Sequence, residues 1–455
     1  MNHPRSKLPA VLAVLFCIAL LGGVGVLLWK TLPEKQQPEQ ADTIQTDGVF
    51  SSEPTTVEPE REEPYEGELP GQAEAAQPEN PDGQPQENTD DPNTPEVPDN
   101  MTVSDAARTA QALLDTMTDE EKLWQLFFVT PEAITNVNTA TVAGETTKKA
   151  LEQYPVGGIV YFAKNLEDRE QTVALLENTQ SYAKIPLFLG VDEEGGTVSR
   201  VGSNPDMGVP SVGDMRSLGK QQDPAAVYAA GQDIGGGLHA LGFNLDFAPV
   251  ADVAQGADSV IGSRSFGSDP ELCASLAGVI VKSLRAEGIV SCLKHFPGYG
   301  SATVDDHNGT SIVEKSLSEL ENCDLIPFQT IIASEGSVPF VMVSHLSYPS
   351  VTGSDTPADL SSSIVTDILR DKLEYQNVII TDSHSMASIT DHYSAGEAAV
   401  KALAAGCDMI LMPSDLQAAF DAVRAAVADG TLSQARIDES VLRILTVKAE
   451  YGIIS

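Results

Sequence analysis

The chain is short of the residue types from which metal centres and nucleic-acid surfaces are built. Its five cysteines, Cys17, Cys273, Cys292, Cys323 and Cys407, are scattered, with none of the close pairs that zinc sites use. They are expected as small apolar core residues, with a disulfide between two of them as the alternative in an oxidising setting. Only seven histidines occur, and no His-Glu-x-x-His pair is among them, which argues against a helix-borne zinc hydrolase. No Gly-x-Ser-x-Gly elbow and no Gly-x-Gly-x-x-Gly loop is present, so neither a serine hydrolase of the elbow type nor a dinucleotide fold is indicated. Basic residues are scarce too: 27 Lys and Arg stand against 66 Asp and Glu, a formal charge of -39. Such a balance argues against nucleic acid as a partner and against adhesion to anionic lipid.

The charge is concentrated. Between Thr31 and Asn100 there are 19 Asp and Glu against two Lys and Arg, interleaved with Pro, Gln, Asn, Thr and Gly. A segment with so few aliphatic residues does not bury enough apolar surface to offset its ordering entropy, so residues 31–100 are expected to be a disordered acidic linker. Ahead of it lies the uncharged run LPAVLAVLFCIALLGGVGVLLW, Leu8 to Trp29, about the length needed to cross a bilayer. His3, Arg5 and Lys7 precede it, which by the positive-inside rule leaves the N-terminus in the cytoplasm and sends the rest outside. Residues 1–30 are therefore expected as a membrane anchor, with a cleaved signal peptide as the alternative.

From Met101 the composition is that of a globular domain, 101–455. VSDAARTAQALLDTMTDEEKLWQLF has helical spacing, and TDEEK within it has the form of an N-cap with acidic first-turn residues. Eight short apolar runs then recur, at 126–130, 157–162, 186–192, 243–250, 289–296, 339–346, 377–382 and 408–413, with helical stretches between them. Runs apolar at successive positions suit parallel strands covered on both faces. Eight strand-helix units predict an α/β fold, a TIM-like (β/α)8 barrel, with a doubly wound open sheet as the alternative. Polar residues gather at the C-terminal ends of these runs: Asp192 to Glu194, Asp252, Lys294 with His295, His345, and Asp382 with His384. In a barrel these ends share the face on which active sites are built.

Carboxylate chemistry suits this set better than metal chemistry. Glycoside hydrolysis needs one carboxylate close to the anomeric carbon and a second group that protonates the leaving oxygen and later deprotonates water. Asp382, in VIITDSHSM at the end of a buried run, is the natural nucleophile; a helix N-cap is its competing role. His307 with Asp305 two residues earlier fits the acid/base, since a neighbouring carboxylate orients an imidazole and stabilises its protonated form.

Seven motifs in order, VDEEGGTVSR, FNLDFAPVADV, IGSRSFG, CLKHFPGYGSATVDDH, FVMVSHL, VIITDSHSM and AGCDMILMP, together resemble glycoside hydrolase family 3, most closely its β-N-acetylhexosaminidase branch. The resemblance runs from about Ala106 to Tyr451. It implies that Asp382 is the nucleophile, that Asp305 and His307 form the Asp-x-His dyad after the fifth strand, and that Asp192, Arg200, Arg264, Lys294 and His295 hold the sugar beside the scissile bond. It further implies a retaining exo-enzyme without metal or cofactor, acting on terminal β-N-acetylglucosamine of cell-wall fragments, muropeptides or other glycans. The chain departs from the family pattern where Glu193, Tyr299, Ser383 and His384 stand, and these departures bear on substrate preference. The rival expectations are a β-glucosidase, β-xylosidase or phosphorylase of the same family, or a wall-binding protein with impaired catalysis.

Overall fold

The computed structural model describes residues 103–256, 259–302, 311–334 and 338–455. The apolar run Leu8–Trp29, the acidic stretch 31–100 and the pair Asp305 and His307 lie outside the described residues. Among the described residues, no helix is long and apolar enough to cross a membrane.

Strands β1 (Phe127–Val129), β2 (Gly158–Val160), β3 (Phe188–Val191), β6 (Leu245–Asp246), β7 (Val290–Phe296), β8 (Phe340–Val343), β9 (Val378–Ser383) and β10 (Met409–Leu411) form a closed barrel, each parallel to its neighbours. Each lies on one of the eight expected runs. Closure is made by β1 on β10, with Phe127 opposite Ile410 and Phe128 opposite Leu411; an open doubly wound sheet would leave those two edges apart. The run at 243–250 yields the shortest barrel strand. Toward β3 its ladder ends with the Phe247 N–H, which donates to the Val191 carbonyl, before Pro249, which has no N–H to give. Toward β7 it goes on irregularly, with the Cys292 and Lys294 N–H groups donating to the Ala248 and Pro249 carbonyls and Val250 bridged to Lys294. A small antiparallel hairpin, β4 (Glu193–Gly195) with β5 (Val198–Ser199), follows β3 and was not expected from the sequence.

Local chemistry sets the helices. Thr118 and Glu121 make a reciprocal capping box at the start of the helix Asp119–Gln125, as TDEEK suggests. The three glycines at 235–237 lie in the helix Pro224–His239. A Cβ on Gly237 would fall 2.3 Å from the Val209 side chain, so that residue type permits close packing there. The stretch expected as a helix after Ser361 is wider than an α-helix over Val365–Lys372, where bonding is of the π type. Cys273, Cys292 and Cys407 are buried, Cys323 is partly so, and all four are free thiols.

Inside the barrel, Phe128 of β1 reaches across to the rings of Phe188 and Phe247. Gly158 and Gly190 make room for it: a Cβ on Gly190 would stand 2.9 Å from the Phe128 ring and 3.1 Å from both Leu245 and Phe247. Gly190→Ala is expected to cost about 1–3 kcal/mol through overpacking of a closed interior. Urea unfolding checks this; an unchanged midpoint would mean that the interior has slack. The helix Gln434–Glu450 carries a buried Lys448 that donates to Gln125 Oε1 at 2.8 Å, just ahead of β1.

Candidate active site

The C-terminal strand ends surround a cavity of about 580 Å³, and Asp192, Arg200, Arg264, Lys294, His295 and Asp382 all line it. The structure thus gathers six of the eight residues singled out from the sequence around one space. The remaining two, Asp305 and His307, lie outside the described residues.

One wall is an ion-paired clamp centred on a residue that sequence reasoning did not select. Glu194, at 2% side-chain exposure, accepts from Arg264 Nε at 2.7 Å and Nη2 at 2.8 Å, and pairs with Lys294 Nζ at 2.6 Å. The same Lys294 ammonium donates to Asp192 Oδ1 at 2.8 Å. Burial works against the charges on Glu194, Arg264 and Lys294, yet mutual attraction wins. Lys294 and Arg264 hold the Glu194 carboxyl at about 2, and Asp192 and Glu194 raise the Lys294 ammonium above its ordinary range. A wall of fixed donors and acceptors can exchange hydrogen bonds with a polyol without reorganising.

A second carboxylate, Asp252, placed at a strand end by the sequence but given no role there, sets the next part of the wall. Its Oδ2 is 2.7 Å from His295 Nδ1, both oxygens take the His295 backbone N–H at 3.2 Å, and Oδ1 takes the Tyr299 N–H at 2.6 Å. Asp252 is buried and shapes the Lys-His-Phe-Pro-Gly-Tyr turn from beneath. Arg264 Nη2 lies 3.4 Å from His295 Nε2. His295 thus faces the Asp252 carboxylate through Nδ1 and the Arg264 guanidinium through Nε2. Tyr299 is buried against the His295 ring, with centroids 5.6 Å apart. Glu193, where the family usually has Gln, accepts the backbone N–H groups of Arg200 and Val201 at 2.7 Å each. Its role is to close the β4–β5 hairpin and so place Arg200, whose guanidinium lines the cavity.

Asp382 belongs to β9, and the nearest following helix, Ala387–Thr390, is entered through Met386. The competing role as a helix cap is therefore excluded. Its Oδ1 accepts the Ser383 N–H at 2.7 Å, while the side chain is half-buried and open toward the cavity. Burial opposes its ionisation, but His295, His345, the Ser383 N–H and Lys294 together outweigh that and leave the carboxyl below its ordinary value. It is thus a carboxylate throughout the neutral range, free of any direct salt-bridge partner among the described residues. Such a group can attack an electrophilic carbon held in front of it.

Among the described residues, one group of side chains has the composition of a metal site: His345, Asp359 and His384, whose ligand atoms lie within 4.8 Å of one another. These atoms already engage each other. Asp359 Oδ2 takes His384 Nε2 at 2.8 Å, and Asp359 Oδ1 is 3.1 Å from His345 Nδ1. Of these contacts Asp359–His384 is a hydrogen bond, whereas His345 Nδ1, Asp359 Oδ1 and His384 Nδ1 are buried without a hydrogen-bond partner among the described residues.

A barrel mouth with one ionised carboxylate facing a wall of charged hydrogen-bonding groups has the donors and acceptors that a polyhydroxylated molecule can use. Residues 118–447 match the model of the glycosyl hydrolase family 3 N-terminal domain, and the chain belongs to that family. Over 330 residues it is 34% identical to beta-hexosaminidase A of Pseudoalteromonas piscicida, covering 66% of this chain and 54% of that protein. Over 307 residues it is 36% identical to beta-hexosaminidase LpqI of Mycobacterium tuberculosis, covering 65% of this chain and 76% of that one. Among solved structures, a family 3 beta-N-acetylglucosaminidase from a Paenibacillus species superposes with a TM-score of 0.69 at 35% identity, over 74% of this chain and 63% of that one. The chain therefore spans about half to three quarters of the length of these relatives.

Proposed function

We propose that the chain is a retaining exo-β-N-acetylhexosaminidase that removes terminal β-linked N-acetylglucosamine from glycans. The observation that carries this is Asp382, an ionised carboxylate beside a prebuilt wall of Asp192, Lys294, Glu194, Arg264 and His295. The names borne by the relatives point to the hexosamine branch. In this scheme the wall holds the sugar hydroxyls and Asp382 attacks the anomeric carbon as the glycosidic oxygen departs. His307, oriented by Asp305, protonates that oxygen, then deprotonates the water that releases the sugar from the ester with Asp382. Two inversions give net retention.

The proposed setting is outside the membrane. Leu8–Trp29 behind three basic or titratable residues, followed by the acidic stretch 31–100, supports a single-pass anchor and a linker that stands the barrel away from the surface. Peptidoglycan fragments and other N-acetylglucosamine glycans are the substrates within reach there.

The test is release of 4-nitrophenol from its β-N-acetylglucosaminide and its β-glucoside, wild type beside His307→Ala. Preference for the acetylated sugar is expected, with a loss of roughly 10²–10⁴-fold in the variant, the range general acid/base groups supply. Preference for the glucoside overturns the branch. No turnover of either sugar by folded protein that still binds N-acetylglucosamine favours a wall-binding role. A sugar phosphate product in phosphate buffer identifies a phosphorylase.

A further inference from the structure

Three buried side chains around the end of β9 have no part in the scheme above. His345 follows β8, Asp359 lies in the turn Ala358–Leu360, and His384 stands two residues after Asp382. None of the three is more than 1% exposed, and none lines the cavity in front of Asp382. Their backbone is held in place by neighbouring elements. The Asp359 N–H donates to the Ser344 carbonyl at 3.2 Å, and the His384 N–H to the Leu411 carbonyl of β10 at 2.9 Å.

The polar atoms of this group do not satisfy one another. Asp359 Oδ2 and His384 Nε2 share a hydrogen bond at 2.8 Å. That bond leaves Asp359 Oδ1 and His384 Nδ1 buried with no hydrogen-bond partner among the described residues. Buried polar atoms are rarely left so unless a water or an ion completes them. Asp359 Oδ1 is 3.1 Å from His345 Nδ1, yet it accepts no hydrogen bond from it. The other nitrogen of that ring, Nε2, is 2.9 Å from the Ser383 carbonyl oxygen. A carbonyl only accepts, so Nε2 carries the hydrogen. An imidazole that donates from one nitrogen to a backbone carbonyl and turns the other toward a carboxylate oxygen is arranged as metal-binding histidines are.

We propose that His345, Asp359 and His384 form a zinc site, with His345 binding through Nδ1, Asp359 through Oδ1 and His384 through a ring nitrogen. The donor set selects the ion: two imidazoles and one carboxylate suit zinc, whereas magnesium and calcium take oxygen ligands. Spacing agrees with this choice. Zinc bonds of about 2.0–2.2 Å set tetrahedral neighbours about 3.3–3.5 Å apart, close to the 3.1 Å between His345 Nδ1 and Asp359 Oδ1. Ligand atoms of all three residues lie within 4.8 Å of one another, so a small side-chain movement closes the set. A cation there gives Asp359 Oδ1 its missing partner. The ion takes no part in the reaction at Asp382. It staples together the segment after β8, the turn at Asp359 and the end of the strand that carries Asp382.

The test measures metal in the full chain, produced without a histidine tag in zinc-supplemented medium and passed through gel filtration near neutral pH. Elemental analysis is expected to find about one zinc per chain in wild type. His384→Gln removes one of three ligands and should retain less than about a tenth of that. His307→Ala, altered at the sugar site, should keep the full amount. Full retention in His384→Gln overturns the proposal, as does loss of zinc in His307→Ala alone, which would place the ion at the sugar site. A buried ion is acquired as the chain folds, so wild type is also refolded with equimolar zinc. Protein that carries no zinc by either route overturns the site.

If His384→Gln does not fold, Asp359→Asn, nearly isosteric, takes its place. Wild type alone gives a further reading, since an ion bound by the folded state raises the thermal midpoint. Chain refolded with EDTA should melt below chain refolded with zinc, and equal midpoints overturn the proposal. Cobalt refolded in place of zinc should show the visible absorption of a tetrahedral ion, and a spectrum of hydrated cobalt overturns it. None of these readings needs a substrate, so they stand or fall apart from the glycosidase assay.

Discussion

Asp382→Asn is expected to lower kcat for an aryl β-N-acetylglucosaminide by roughly 10⁴-fold or more, the scale of loss when a covalent nucleophile is removed from a site whose parts act as a unit. Asn is nearly isosteric, and its amide oxygen can still accept the Ser383 N–H that Asp382 Oδ1 now takes, so the strand end stays in place. The clamp of Asp192, Glu194, Arg264 and Lys294 makes no bond to Asp382, so sugar affinity should change far less than turnover. Loss of kcat with binding retained separates a nucleophile from a residue that only shapes the pocket. A sharper version removes the side chain. Asp382→Gly leaves a space that azide can enter, and azide attack from the face vacated by the carboxylate forms a C–N bond as the aryloxide leaves. The product is the α-glycosyl azide, of inverted configuration. Recovery of turnover with that product is expected, and a β-configured azide would rule out direct attack from the Asp382 side. Because the wild-type carboxyl lies below its ordinary value of 3.8, any acid limb due to Asp382 itself should fall below about pH 4.

The barrel was legible because its strands are covered on both faces. A run such as GGIVYF or PFVMV is apolar at successive positions and has few other structures open to it. Even the glycines carried information: Gly158 and Gly190 mark where Phe128 crosses the interior. The β4–β5 hairpin left no such trace, because Glu193–Ser199 is short, polar and held by a single carboxylate to two backbone N–H groups. The site divides in the same way. Asp192, Lys294, His295 and Asp382 sit at strand ends, where position alone suggests a role. Glu194 stands two residues past Asp192 and was visible as a charge, but nothing in the sequence says that Arg264, 70 residues on, and Lys294 both point at it. Asp252 looks like any polar residue after a strand until the His295 and Tyr299 contacts are seen. Asp359 lies in a loop with no motif, and its partners, His345 and His384, come from two different strands. Pairings of this kind are set by closure of the barrel, and no local spacing encodes them.

Glu194→Gln carries the largest expected effect on stability. Glu194 is the one carboxylate shared by Arg264 and Lys294. With an amide in its place, Lys294 retains Asp192, whereas Arg264 has no carboxylate partner among the described residues. Removing one partner from a buried ion network costs about 3–5 kcal/mol, because charge stays behind without compensation. The pH dependence identifies the cause. Folding lowers the Glu194 carboxyl from 4.5 to about 2, so its stabilisation is complete above about pH 4.5 and is lost as pH falls through that interval toward 2. A shift of that size corresponds to roughly 3 kcal/mol. Asp359 is also held at about 2 and loses its contribution in a similar acid window, but it does so in wild type and variant alike. The difference between the two proteins therefore isolates Glu194. Unfolding by urea at about pH 7 should show the variant well below wild type, and at about pH 3 the gap should have narrowed. A gap that stays constant with pH would mean that Glu194 acts through packing rather than charge. Turnover adds an independent reading: with Arg264 and Lys294 no longer fixed by one carboxylate, kcat/KM should fall even in conditions where the variant is fully folded. Asp192→Asn, which leaves the Glu194 pairs in place, should lose activity with a much smaller loss of stability.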